Sequence, residues 1–307
     1  MKYCIIAFMF LFSFIEAKKS WPYIPFDRAM QKNNFNFDSL AEITRKIMGV
    51  DGNILYNFFK NNFEKNCHLE AQEKPIIPLT IHRIWLGSPE PEAFKPLLQS
   101  WLQYHMNRGW QYKLWTDADV TQLQLYNQEF YDATDNPGVK SDILRYEILY
   151  RFGGIYIDVD YECLAPFDDL HYTYDFYTGL QPLDSSFIQL GNALIGSRPG
   201  HPILKHCIET IKNDWHEKGA PKKTGPVHFT KSFYVCANQD DNNDIVFPAF
   251  YFCPLGCRER NNNNKDEWQK QGAFAIHWWA KSWMPKEYRP SLSKNIDNDG
   301  SAKSWND

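Results

Sequence analysis

The sequence predicts an α/β fold built on a parallel-rich sheet, and two observations carry that expectation. From residue 79 onward, segments with strand and helix character alternate as strand–helix–strand, the rhythm of a sheet covered by helices on both faces. The second observation is the stretch 139–163, VKSDILRYEILYRFGGIYIDVDYEC, where a helical period gives way to a strand period across two glycines. Val139, Ile143, Tyr146 and Tyr150 recur at helical spacing, and Leu144, Ile148 and Leu149 widen the apolar face. Gly153-Gly154 ends this helix where a left-handed C-cap is expected. Residues 155–160 then alternate, with Ile155, Ile157 and Val159 on one face and Tyr156, Asp158 and Asp160 on the other.

Taken in order, the first 17 residues, MKYCIIAFMFLFSFIEA, read as a signal peptide. Lys2 supplies the positive end, residues 3–15 the apolar run, and Ala17 a small residue at a cleavage point. The run is short for a membrane span; an uncleaved signal anchor is the alternative and the one route to a membrane. Residues 18–75 form an N-terminal helical segment without a catalytic pattern. Leu40, Ile43 and Ile47 are helically spaced there, and a second helix is expected over 54–63 after the Asp51-Gly52-Asn53 break. Pro75 and Pro78 punctuate the entry to the main domain, which extends over 76–290. Residues 79–86 (LTIHRIWL) alternate as a strand ending at Gly87, 91–104 read as a helix, 110–115 as a strand and 119–130 as a helix. Beyond the central stretch, 161–170 is a turn-rich exit, 190–202 holds a short apolar strand, and 205–215 a helix behind the sheet. Residues 222–233 include a Gly225-Pro226 turn, 261–264 a solvated loop, and 291–307 a polar tail.

Bulk properties narrow the class. The 307 residues suffice for one large α/β domain, and 43% hydrophobic with 23% charged residues is ordinary for a globular chain. A net charge of −4 gives no reason to expect nucleic acid or an anionic membrane surface as partner. Aromatic residues reach 16%, serving either a core or the flat faces that carbohydrate and nucleobase sites use. Of seven cysteines, six remain once Cys4 is set aside, and Cys253 and Cys257 in FCPLGC can pair locally in an exported chain.

The chemistry concentrates in the central stretch. Asp158 and Asp160, two residues apart on a strand, start ~6.6 Å apart at the backbone and point the same way, so both can lean toward one cation or ligand. Carboxylate oxygens suit hard ions such as Mg²⁺ or Mn²⁺. Asp142 and Arg145 share a helix face one turn apart. Together these groups can hold a diphosphate–metal unit and its attached sugar. In a parallel sheet ligands sit at the carboxyl ends of strands, where Trp85 also falls.

The block SDILRYEILYRFGGIYIDVD resembles the core signature of the DXD-containing glycosyltransferases of family 32, which include fungal mannosyltransferases and bacterial capsular and effector enzymes, with the clostridial glucosylating toxins more distant. IHRIWLG resembles that family's first-strand motif, LWTDADV also matches its pattern, and LGNALIGS, KKTGPVHF and AIHWWAKSW resemble its later motifs. The resemblance implies a GT-A type nucleotide-sugar-binding domain with an N-terminal helical extension. It implies Trp85 stacking on the donor base, Asn192 near the sugar, and Gly225 shaping a turn near the donor with Thr224 offering a hydroxyl. It further implies that His277 completes a metal shell and that Ser282 and Trp283 close over the donor. His82, on the opposite strand face from Trp85, reads as structural.

The function expected on this basis is metal-dependent, retaining transfer of a hexose from a UDP- or GDP-sugar to a glycan, lipid or protein acceptor. Asp160 is expected as principal metal ligand and Asp158 as ligand or ribose partner. Arg145 and Tyr156 are expected to face the donor, and Asp142 to accept from sugar hydroxyls. Specificity is assigned to loops around residues 181–189 and to the N-terminal helices. One rival is a glycoside hydrolase, whose carboxyls would have to flank the scissile bond from opposing sides; the other is a non-catalytic sugar- or nucleotide-binding protein on the same fold. The signal peptide implies export, to a secreted, envelope or Golgi/ER destination.

Overall fold

The computed structural model describes residues 21–237, 242–258 and 264–280. The stretch 1–17 read as a signal peptide, residues 291–307, Ser282 and Trp283 lie outside the described residues. Three helices come first: α1 (Phe26–Ala29), α2 (Phe37–Met48) and α3 (Gly52–Asn66). The chain then runs β1 (Thr80–Ile84), α4 (Lys95–His105), β2 (Gln111–Trp115), α5 (Asp117–Val120), α6 (Gln128–Asp132) and α7 (Pro137–Phe152). β3 (Gly154–Ile157), β4 (Tyr161–Cys163), α8 (Asp168–Thr173), β5 (Phe176–Leu180) and β6 (Leu190–Ser197) follow. α9 (Pro202–Asp214), α10 (Ala220–Lys223), α11 (Pro226–Cys236), β7 (Asp244–Phe247), α12 (Lys265–Lys270) and β8 (Ala275–His277) complete the described chain.

Six strands form one sheet in the order β2-β1-β3-β6-β5-β7, and β4 pairs with β8 in a second. β1 is parallel to β2 and β3, and β5 to β7, whereas β6 is antiparallel to both β3 and β5. β6 alone therefore runs against the others, and the expected α/β fold with a mainly parallel sheet is the one observed. β3, β5 and β7 are buried along their whole length, so helices and loops cover both faces of the sheet centre.

The N-terminal helices share this core. Trp21 lies edge-on to Phe247 at 5.3 Å, and Phe63 packs on Phe247 at 6.0 Å. Asn62 and Asn66 of α3 donate to the Asp244 carbonyl, and Asn62 Oδ1 accepts the Val246 N–H at 2.8 Å. Those amides satisfy the backbone of an edge strand that would otherwise be open to pairing. Among the described residues, no helix is long and apolar enough to cross a membrane.

Gly153 and Gly154 both have positive φ, 64° and 101°, but Gly153, at ψ −165°, departs from the left-handed C-cap expected, and the chain passes directly from α7 into β3. Space demands glycine as well: a Cβ at Gly153 would lie 2.7 Å from Pro199 Cδ, and one at Gly154 2.5 Å from the Thr80 carbonyl oxygen.

Several expectations are corrected. The helix expected over 119–130 is two short helices, because the buried Glu147 carboxylate accepts the N–H groups of Tyr126 and Asn127, both at 2.8 Å, and holds a turn there. Strand β3 stops at Ile157, and Asp158 and Asp160 occupy the turn that follows: the Asp158 N–H reaches the Ala193 carbonyl, and the Tyr161 N–H returns to the Asp158 carbonyl. The turn after Gly225 opens directly into α11, since Pro226 at its start has no N–H to leave unpaired. Cys253 carries a free thiol, its Sγ 3.0 Å from the Tyr161 hydroxyl, so the local pairing with Cys257 is not made.

Candidate active site

β1, β3 and β6 lie side by side, and β6 runs opposite to the other two. The carboxyl ends of β1 and β3 therefore meet the start of β6 at one edge of the sheet, where a cavity of about 500 Å³ opens. Trp85 and the Asp158-Val159-Asp160 turn line it from β1 and β3, Asn192 from β6, Asp142 and Arg145 from α7, and His277 from the end of β8. Segments far apart in sequence thus contribute to one crevice at the position where open α/β sheets bind ligands.

The α7 groups form a closed network. Arg145, 5% exposed, donates through Nε to the Ser141 carbonyl (3.2 Å), through Nη2 to Ser141 Oγ (3.1 Å), and through Nη1 to the Asn192 carbonyl (2.7 Å). Its guanidinium also pairs with Asp142 at 3.2 Å and Asp158 at 3.3 Å, and lies 4.4 Å over the Tyr156 ring. Asp142 Oδ1 accepts from Asn192 Nδ2 (2.8 Å) and its Oδ2 from Thr224 Oγ1 (2.9 Å). Burial pushes the Asp142 carboxyl above its usual range, opposed by Arg145 and these hydrogen bonds. Tyr156 donates to Asp158 Oδ1 at 2.7 Å. Arg145 thus acts first on the protein, tying α7, β6 and the turn after β3 together.

Asp158, Asp160 and His277 offer one ligand atom each, all within 4.8 Å of one another. Oxygen–metal bonds of ~2.0–2.6 Å let one hard ion bridge atoms about 4–5 Å apart. Two carboxylates and an imidazole suit Mn²⁺ or Mg²⁺, and the cavity side leaves coordination positions for ligand oxygens. The donor set therefore fits a divalent ion. His277 Nε2 lies 3.3 Å from Asp160 Oδ1. Burial opposes charging of both groups, but Asp160 pushes the His277 pKa up to about 10, and His277 in turn holds Asp160 below its usual range. Asp160 Oδ2 also accepts the Ala280 N–H at 2.7 Å, and His277 stacks on Tyr161 with ring centres 4.5 Å apart.

Residues 91–177, which contain α7 and the turn after β3, match the family described as glycosyltransferase sugar-binding region containing DXD motif. The resemblance to the DXD-containing glycosyltransferases is borne out over that region. The chain is similar to inositol phosphoceramide mannosyltransferase 2 of Schizosaccharomyces pombe, with 29% identity over 187 residues, 58% of this chain and 51% of that protein. An uncharacterized glycosyltransferase of Acanthamoeba polyphaga mimivirus is 28% identical over 222 residues, 68% of this chain and 85% of that one. Among solved structures, the PaToxG glycosyltransferase aligns with a TM-score of 0.47 at 20% identity, over 64% of this chain and 79% of that chain. This chain spans about half the length of the fission-yeast relative.

Trp85, Asp142, Arg145, Tyr156, Asp158, Asp160, Asn192 and His277, all singled out from sequence, line this same cavity. Gly225 stands behind it: a Cβ there would come 3.3 Å from Asp142 Oδ2 and 2.9 Å from Pro221 Cα, so its bare backbone lets the loop close on Asp142. His82 faces away from the cavity, bonded to the Gly153 carbonyl and the Trp115 indole, in keeping with a structural role. Sequence reasoning missed Trp279, which lines the cavity at a strained φ of 53° with its ring 4.1 Å from His277. The doubled tryptophan after His277 was the available signal. Ser141 and Tyr146 were also missed as polar partners; the Tyr146 hydroxyl donates to the Thr224 carbonyl and accepts from Asn192. Both sit in an apolar helical pattern that reads as core.

Proposed function

We propose that this chain is a metal-dependent, retaining hexosyltransferase that takes a UDP-hexose or GDP-mannose donor and serves a glycan, lipid or protein acceptor. The observation that carries the reading is the meeting, in one cavity at the sheet edge, of the Asp158–Asp160–His277 donor set with the Arg145–Asp142–Asn192 network. Asp158, Asp160 and His277 would hold Mn²⁺ or Mg²⁺, which when bound supplies positive charge to a departing nucleoside diphosphate. The half-buried Trp85 offers an indole face for the base; its Nε1 donates to Ser88 Oγ at 3.1 Å, which fixes the ring. Asp142, held by Asn192 and Thr224, presents acceptor oxygens for sugar hydroxyls. Arg145 keeps both carboxylates aimed while contributing charge beside the diphosphate. Retention follows from the family resemblance, and export follows from the reading of residues 1–17.

The test is donor hydrolysis across a panel of UDP- and GDP-sugars, with Mn²⁺ and with chelator. Cleavage of one donor, abolished by chelation, is the expected result. Absence of both cleavage and metal-dependent nucleotide binding across the panel would overturn the reading and favour a non-catalytic protein.

A further inference from the structure

Each backbone carbonyl in the Asp158-Val159-Asp160 turn is taken by a different donor. The Asp158 carbonyl accepts the Tyr161 N–H at 3.2 Å and the Asp160 carbonyl the Trp278 N–H at 3.0 Å. The carbonyl between them, that of Val159, accepts a side chain: Arg83 Nη2, at 2.9 Å. Arg83 projects from β1 and is 1% exposed. Burying a guanidinium so deeply is costly unless it is paired, and the partner is Glu90, whose Oε1 lies 2.7 Å from the same Nη2 with 14% of its side chain exposed. Glu90 belongs to the segment that leaves the cavity after Trp85. One buried arginine therefore connects the Trp85–Glu90 segment to the middle peptide of the turn that carries both carboxylates.

We propose that Arg83 is a positioning residue for the metal-binding carboxylates, fixing the Val159 carbonyl and with it the directions in which Asp158 and Asp160 leave the turn, while Glu90 holds Arg83 in place. The inference rests on the metal-site reading given above. Strand β3 has already ended at Ile157, so no strand partner bonds the Val159 carbonyl. Without Arg83 that carbonyl would lose its donor inside a site where an unsatisfied polar group is destabilising. The peptide would rotate toward another donor, and because it adjoins Asp160, rotation swings that Cβ. Groups that orient metal ligands from outside the coordination sphere change metal affinity by about 10–100-fold.

The test measures Mn²⁺ binding to the full chain directly, by the electron paramagnetic resonance signal of free Mn²⁺, in wild type, Arg83→Met, Glu90→Gln and the double variant. Near-ultraviolet circular dichroism checks the fold of each. Arg83→Met is expected to weaken Mn²⁺ binding about tenfold or more, and Glu90→Gln to weaken it less. The double variant should be no weaker than Arg83→Met, because Glu90 acts through Arg83. A merely structural arginine would lower stability and leave Mn²⁺ affinity in the folded protein alone. Affinity within twofold of wild type in folded Arg83→Met overturns the proposal; should that variant not fold, the same result in Glu90→Gln does so. A wild-type chain that binds no Mn²⁺ overturns the metal reading itself, and this inference with it.

Discussion

Replacing His82 with glutamine should flatten the acid limb of the stability curve. The ring is 3% exposed. Its Nδ1 accepts the Trp115 indole N–H at 3.1 Å, and its Nε2–H donates to the Gly153 carbonyl at 2.9 Å. An indole nitrogen can only donate, so these partners select the neutral Nε2–H tautomer. A second ring proton would point at another donor. Burial, opposed by the bond to Gly153, pushes the pKa down from 6.5 to about 4. Between those two values the unfolded chain binds more protons than the native one, so stability rises with pH across that window and is lost as pH falls through it. The displacement is worth about 3 kcal/mol in all, at roughly 1.4 kcal/mol per pKa unit. About 2 kcal/mol of that disappears between pH 7 and pH 5. Urea unfolding of wild type and His82→Gln at pH 5, 6 and 7 measures it, and the difference between the two proteins cancels the other titrating groups. Equal losses of stability between pH 7 and pH 5 in both proteins would refute the assigned tautomer and its cost.

Three further outcomes follow from the site and its scaffold. Asp160→Asn should lower metal-dependent donor cleavage by a factor on the order of 10² or more with an unchanged circular dichroism spectrum; cleavage at the wild-type rate in Mn²⁺ would remove Asp160 from the ligand set. Trp85→Ala should weaken UDP or GDP binding by about 1–3 kcal/mol in calorimetric titration, and unchanged affinity would return Trp85 to a packing role. Glu147→Gln should cost about 1–3 kcal/mol of stability and speed amide exchange at Tyr126 and Asn127; protection equal to wild type would mean that the carboxylate does not hold that turn.

Legibility in the sequence tracked periodicity. The α7–Gly153–Gly154–β3 unit could be read because an amphipathic helix, two obligatory glycines and an alternating strand each leave a local mark. β5 and β7 escaped because FYTGL and DIVF, buried throughout, show no regular apolar–polar alternation, whereas the equally buried β3 keeps Ile155 and Ile157 in step with Tyr156 and the aspartates that follow. The break in 119–130 escaped because its cause, Glu147, lies some twenty residues away on α7 and acts through space. The D-x-D pair was legible as chemistry but not as geometry: alternation assigned it to a strand face, whereas β3 ends one residue earlier and a turn aims the carboxylates.

By itself, the sequence determined the residue types that the proposed nucleotide-sugar and metal site needs, and the helix–glycine–strand unit that presents them, because both rest on short-range spacing. Only the tertiary structure decided that His277, more than a hundred residues beyond the carboxylates, lies 3.3 Å from Asp160. It likewise decided that Arg145 is spent on Asn192, Asp142 and Asp158, and that a buried arginine from β1 reaches the Val159 carbonyl. Those contacts depend on which strands are neighbours, and strand order is set by how the whole core packs, a quantity no local window of sequence contains.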